Sequence, residues 1–187
     1  MVCPFSVSLI EPDIPQNTGA IMRLCACLSV PLHLIEPFGF VWDERLMKRG
    51  GLDYLDKVVI NRHIDFHHFL LSLSAVPITA TTPPAATHHP PTVSTTTAAI
   101  TTGTITANMS SPRTILFTTR ATTSIHAFSF QRGDCFIYGS ESRGAPQTVH
   151  DLVDHRLTIP IADNTRSLNL ATAVAFSLGV ALQQTLS

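Results

Sequence analysis

Short apolar runs of four or five residues recur along this chain, each stopped by proline, glycine or a polar cluster, with helix-period stretches between them. Phe5–Leu9 alternates and ends at Glu11-Pro12-Asp13-Ile14-Pro15, where two prolines forbid continuation. A helix capped by Asn17 or Thr18 is expected to run to Leu28, with Ile21, Leu24, Cys25 and Leu28 along one face. Leu32–Ile35 reads as a second strand, Asp43–Arg49 as a short basic helix, Lys57–Ile60 as a third strand and Asp65–Leu73 as a helix. Strand and helix in regular alternation predict an α/β fold, a mostly parallel sheet with helices on both faces.

The texture then changes. Between Phe66 and Pro112 there is no Asp, Glu, Lys or Arg, and Pro77–Pro112 is dominated by Thr, Pro and Ala. With few large apolar groups and no helical period, residues 80–112 are expected to be a low-complexity insertion in a single domain spanning 1–187; a Thr-rich hairpin is the rival. His88-His89 lies inside it with no third ligand nearby, and no metal site is expected. Order resumes with Thr114–Thr118, a polar–apolar alternation over Ser124–Phe130, a strand at Cys135–Tyr138, a short helix from Pro146 to Leu152, a last strand at Arg156–Pro160 and an apolar helix over Ser167–Leu186.

Twelve basic residues against thirteen acidic ones leave a net charge of −1, so a nucleic-acid partner has to be met by a local patch. Arg45, Lys48 and Arg49 are one candidate, a solvated face the other. Cys3, Cys25, Cys27 and Cys135 show neither disulfide nor zinc spacing, which predicts buried reduced thiols. No apolar run reaches the ~18 residues that span a bilayer, and Met-Val-Cys-Pro-Phe has no basic leader. The expectation is a cytoplasmic protein without a membrane partner.

Three loops follow strands, at 11–19, 139–144 and 160–169, and ligands of open α/β sheets sit where such loops converge. Gly139-Ser140-Glu141-Ser142-Arg143-Gly144 is neither a dinucleotide fingerprint nor a P-loop. Its acidic residue disfavours a phosphate and suits a neutral or cationic ligand; a tight turn with a solvated Glu141 is the alternative. Ser167 and Asn169 stand where a helix cap is needed, and one cap does not occupy both. Arg23 follows Asn17 by six residues, so helix geometry alone does not bring them to one point.

Three blocks in order carry a resemblance: Leu9-Ile10-Glu11-Pro12-Asp13-Ile14-Pro15-Gln16-Asn17-Thr18-Gly19 with Arg23-Leu24-Cys25-Ala26; Gly139–Gly144; and Ile159-Pro160 with Arg166-Ser167-Leu168-Asn169-Leu170. They resemble the SPOUT superfamily of trefoil-knotted RNA methyltransferases, in its TrmL-type branch of tRNA wobble-nucleotide ribose 2′-O-methyltransferases. The intervening His33-Leu34-Ile35-Glu36-Pro37-Phe38-Gly39-Phe40 and Arg49-Gly50-Gly51-Leu52-Asp53-Tyr54 fit as well. The resemblance implies a C-terminal knot, S-adenosyl-L-methionine as cofactor, tRNA as substrate, and a homodimer with the site at the subunit interface. It assigns the cofactor to Phe117, Gly139, Glu141, Ile159, Ile161, Ser167 and Leu168, and catalysis to Arg23, Asn17, Ser167 and Asn169. Another tRNA or rRNA site, or a non-catalytic RNA-binding protein that keeps the fold, are the alternatives.

Overall fold

The computed structural model describes residues 3–43, 57–75 and 111–186. Six strands form one parallel sheet: β1 (Ser6–Ile10), β2 (Leu32–Ile35), β3 (Ile60–His63), β4 (Thr114–Phe117), β5 (Cys135–Tyr138) and β6 (His155–Leu157), in the order β3-β2-β1-β5-β4-β6. Chain order reverses beside β1, whose partners are β2 on one side and β5 on the other. That reversal opens a crevice at the carboxyl ends of the central strands.

Alternation along each central strand assigns its two faces. Val7, Leu9, Leu32, Leu34, Ile115, Phe117, Phe136 and Tyr138 pack beneath α1 (Pro15–Leu28) and α4 (Leu170–Leu186), against Ile21, Met22, Cys25, Val174, Leu178 and Ala181. The residues between them, Ile10, Ile35, Leu116, Cys135 and Ile137, pack against Phe69 of α2 (Phe66–Ala75) and Val149 of α3 (Gln147–Leu152). Helices therefore cover both faces, as expected, and the central strands are mostly apolar because neither face meets water; Ser8, buried in β1, meets the Cys135 thiol at 3.2 Å. A buried hydrogen bond between the Tyr138 and Ser177 hydroxyls fastens α4 to the end of β5.

Several boundaries move from their expected places. α1 starts at Pro15 with Ile14 as its N-cap and no side-chain cap; proline suits a first helical position because its missing N–H is an orphan there anyway. Asn17 is thereby free of capping duty. The third strand is Ile60–His63 rather than Lys57–Ile60, in register with Leu32–Ile35. It is an edge strand, which tolerates Asn61 and Arg62, and Arg62 pairs with Glu36 at 2.6 Å and lies over the Phe38 and Trp42 rings. The last strand is His155–Leu157; Thr158 leaves it to bridge Ser124. The Ser124–Phe130 alternation contains a 3-10 turn at Ile125–Ala127. The final helix starts at Leu170, not Ser167. Cys3, Cys25 and Cys135 are buried free thiols, but Cys27 is exposed, two residues on from Cys25 along the same helix. The basic segment Arg45–Arg49 and residues 80–110 of the insertion lie outside the described residues.

At the start of the sheet, Arg113 grips Asp134 with two hydrogen bonds, Nε to Oδ1 at 2.8 Å and Nη2 to Oδ2 at 2.7 Å. The carboxylate is 1% exposed and the guanidinium 27%. The pair joins the entries of β4 and β5. Asp134→Ala strips one partner from it and is expected to lower the unfolding free energy by about 3 kcal/mol, read from urea midpoints at unchanged m-value.

His33 supplies a second test. It lies under α2 with Nδ1 3.0 Å from Nε2 of His63, and burial first, then the His63 charge, push its pKa from 6.5 down to about 4. The unfolded chain binds the proton more readily, so stability is complete above pH 6.5 and falls as the pH drops toward 4. Urea midpoints across that window are expected to decline, less steeply in His33→Gln; a flat profile contradicts the assignment.

Candidate active site

The carboxyl ends of β1, β4 and β5 and the segment after β6 surround one cavity of about 540 Å³. Its walls include Asn17, Phe117, Gly139, Glu141, Ile159, Ile161, Ser167, Leu168 and Asn169. Ten residues were singled out for the site in sequence; Arg23 alone is not in the lining and stands on the exposed face of α1. The cavity size suits a ligand of cofactor dimensions.

The loop after β5 is built around Gly139. A Cβ there would stand 2.1 Å from the Ala145 nitrogen and 2.3 Å from the Gly144 carbonyl carbon, so only glycine fits. Gly144 closes the turn in the left-handed region at φ +71° and donates its N–H to the Ser140 carbonyl at 2.8 Å. Glu141 is thereby presented toward α1. Its Oε1 accepts from Asn17 Nδ2 at 3.0 Å, and its Oε2 accepts the Asp13 N–H at 3.1 Å. Asn17 Oδ1 in turn accepts from Asn169 Nδ2 at 2.8 Å. Asn169 Oδ1 then accepts the Ala171 N–H at 2.9 Å and the Thr172 N–H at 3.3 Å, capping α4.

This chain of bonds links residues 124 and 152 positions apart and settles the two roles that Ser167 and Asn169 left open. Asn169 is the cap, and Ser167 precedes the helix as an exposed lining residue. The acidic residue of the loop is not a solvated bystander. With one N–H of each amide committed, Asn17 and Asn169 each keep a second N–H at the cavity.

The remaining walls divide by chemistry. Phe117, Tyr138, Ile159, Ile161, Leu168, Leu170 and Ala173 are apolar; Thr118, Thr119, Arg120 and Arg166 are polar. Arg143 also lines the cavity and pairs with Glu11 at 3.1 Å. The Thr118–Arg120 segment was missed in sequence because it matches no motif; the available signal was a polar run with a cation directly after an apolar strand. His150, buried in the wall, is pushed below the usual histidine value by burial first and by the Arg120 and Arg156 charges second, so it is neutral at pH 7. Among the described residues, no group of three or more His, Cys, Asp or Glu is placed to hold a metal ion, and no helix is long and apolar enough to cross a membrane.

Asn169→Ala removes the α4 cap and is expected to cost about 1 kcal/mol of stability. Gly139→Ala has to displace backbone and is expected to cost more; equal denaturant midpoints for the two variants contradict this reading of the loop.

Comparison with known proteins gives the geometry its context. The family model of the SpoU rRNA methylases matches residues 4–104 and 92–179. The chain is 36% identical over 178 residues to the tRNA (cytidine(34)-2′-O)-methyltransferase of Beijerinckia indica, covering 95% of this chain and 90% of that protein. Against the protein of the same name from Escherichia coli K12 it is 33% identical over 172 residues, 91% of this chain and 87% of the relative. A solved structure described as giving structural insights into the 2-OH methylation of C/U34 on tRNA superposes with a TM-score of 0.74 at 31% identity, covering 97% of this chain and 96% of that one. The SpoU methyltransferase AviRb from Streptomyces viridochromogenes, in complex with AdoMet, superposes with a TM-score of 0.73 at 19% identity over 97% of this chain and 58% of its own, a likeness of fold. The parallel sheet and its covering helices are thus those of the α/β-knot methyltransferases, and the chain belongs to the SpoU rRNA methylase family.

Proposed function

We propose that this chain is an S-adenosylmethionine-dependent methyltransferase that modifies the ribose 2′-oxygen of tRNA nucleotide 34. The observation that carries the reading is the run of hydrogen bonds from Glu141 through Asn17 to Asn169 at the mouth of a cofactor-sized cavity. Relatives named for this reaction, about one-third identical over nearly the whole chain, support the same assignment.

The walls fit the cofactor. S-adenosylmethionine pairs a flat adenine and a ribose with a positively charged sulfonium and a zwitterionic tail; the cavity pairs apolar Phe117, Ile159, Ile161 and Leu168 with the Glu141 carboxylate and the Ser167 hydroxyl. Gly139 lets the backbone approach where a side chain would intrude. When bound, the cofactor supplies an electrophilic methyl for in-line displacement, a reaction that asks the protein mainly for positioning, worth roughly 7–11 kcal/mol when orientation is good.

The chain's own residues then divide the work. Asn17 and Asn169 offer their free amide hydrogens at the cavity, and Ser167, in the same lining segment as Asn169, is suited to orient the bound groups. Arg23, whose guanidinium keeps its proton at neutral pH, is suited to hold the phosphate beside the acceptor ribose and to stabilise the alkoxide that develops there. Because Arg23 stands outside the cavity of its own chain, we assign it to the cavity of a second copy in a homodimer. Arg120 and Arg166 at the cavity add local positive charge to a chain that is nearly neutral overall. Recognition of a 2′-hydroxyl selects RNA over DNA. No metal is required for the transfer, and the cytoplasm is the compartment this reading implies.

The test is transfer of labelled methyl from S-adenosylmethionine to total tRNA, with nuclease mapping of the product. Label at the 2′-oxygen of nucleotide 34 is expected from the wild type, and little from Asn17→Ala or Arg23→Ala. Co-expressed Asn17→Ala and Arg23→Ala chains are expected to regain activity, because a mixed dimer holds one intact site. Label at another nucleotide or in rRNA moves the substrate; cofactor binding without transfer to any RNA favours the RNA-binding alternative.

A further inference from the structure

Asp13 is densely hydrogen-bonded although it is not itself part of the cavity wall. Three donors converge on its Oδ2: the Ser140 hydroxyl at 2.9 Å, the Ser142 N–H at 3.3 Å and, at short range, the Ser142 hydroxyl. Its own N–H binds Glu141 Oε2 at 3.1 Å. Residues on both sides of Glu141 are thus held by the Asp13 side chain, and Glu141 itself by the Asp13 backbone. Behind Asp13 stands Gly39, where a Cβ would lie 2.5 Å from the Asp13 Cβ, and the Gly39 N–H binds the Pro12 carbonyl at 2.9 Å.

The second carboxylate oxygen gives the arrangement its meaning. Asp13 Oδ1 is buried with no hydrogen-bond partner among the described residues. A buried unpaired acceptor opposes folding, and such groups call for an explanation beyond stability. A solvent-facing serine or threonine at position 13 would avoid that cost, but neither brings a carboxylate that gathers three donors onto one oxygen.

We propose that Asp13 is a positioning residue of the methyl-transfer site: its carboxylate pins the turn over residues 140–142 so that Glu141 reaches Asn17 and sets the orientation of both the Asn17 and Asn169 amides. Glu141 takes the Asn17 amide hydrogen, so the Asn17 oxygen must turn to Asn169, whose own oxygen must turn to the α4 backbone. Loosening the turn leaves each amide free to flip, and a flipped amide presents an oxygen where the cavity needs a hydrogen. The catalytic consequence rests on the function proposed above; the positioning itself does not.

A double-mutant cycle reads the consequence. Asp13→Ala and Asn17→Ala, alone and together, are compared in kcat for methyl transfer to tRNA at saturating substrates, with thermal midpoints recorded. Each single variant is expected to lose at least about ten-fold in kcat, and the double variant to fall within about two-fold of Asn17→Ala, because Asp13 acts through Asn17. Losses that multiply, or an Asp13→Ala enzyme with unchanged kcat, overturn the proposal. Asp13→Asn and Gly39→Ala, which crowds Asp13 from behind, stand in where Asp13→Ala does not fold and are expected to behave alike. Side-chain amide resonances of Asn17 and Asn169 read the positioning without any reaction. They are expected to shift in Asp13→Asn, and unchanged resonances overturn the proposal even if wild-type protein transfers no methyl. Absence of wild-type transfer together with shifted resonances refutes the proposed reaction and leaves the positioning standing.

Discussion

The Glu141 carboxylate offers only acceptors, and the arrangement at the carboxyl edge of the sheet depends on that. Both of its oxygens are committed, one to the Asp13 backbone and one to the Asn17 amide. An amide that donates on one side must accept on the other, so the Asn17 and Asn169 orientations follow in sequence and end at the first turn of α4. One side chain thus ties the exit of β1, the exit of β5 and the start of the last helix into a common wall.

The sheet makes this possible by its order. With β1 flanked by β2 and β5, loops that are more than a hundred residues apart in the chain leave the same edge side by side. The two faces are then free to serve stability. Tyr138 and Ser177 share a buried hydroxyl contact that anchors α4 above β5, while Asp134 and Arg113 lock the opposite end, where β4 and β5 begin. The first lock stands beside the cavity, whose apolar wall includes the Tyr138 ring, and the second lies at the far end of the strands.

Legibility in the sequence followed the same division. Leu32–Ile35 and Cys135–Tyr138 were read at their observed boundaries because both faces of those strands are buried and their residues are correspondingly apolar. Ile60–His63 was misplaced since an edge strand accepts Asn61 and Arg62, which look like loop residues in isolation. The start of the last helix was set too early because Ser167 and Asn169 are both capping types, and only the contact with Asn17 reveals which one caps. Asn17 itself looked like a cap until Pro15 proved to begin the helix. Arg120 carries only the weak local signal of a cation in a polar run after an apolar strand, because its place at the cavity comes from β4 lying next to β5, a fact of topology. Asp13 was invisible as a positioning group for the same reason: its partners lie 127 to 129 residues away.

The central claim is that this edge of the sheet forms a cofactor cavity for a methyl donor. Calorimetric titration of the full chain with S-adenosylhomocysteine, set beside titrations with ATP and NAD, tests it most directly. The account predicts saturable binding of S-adenosylhomocysteine that Gly139→Ala abolishes, and no binding of the other two. Binding of ATP or NAD without S-adenosylhomocysteine would contradict it.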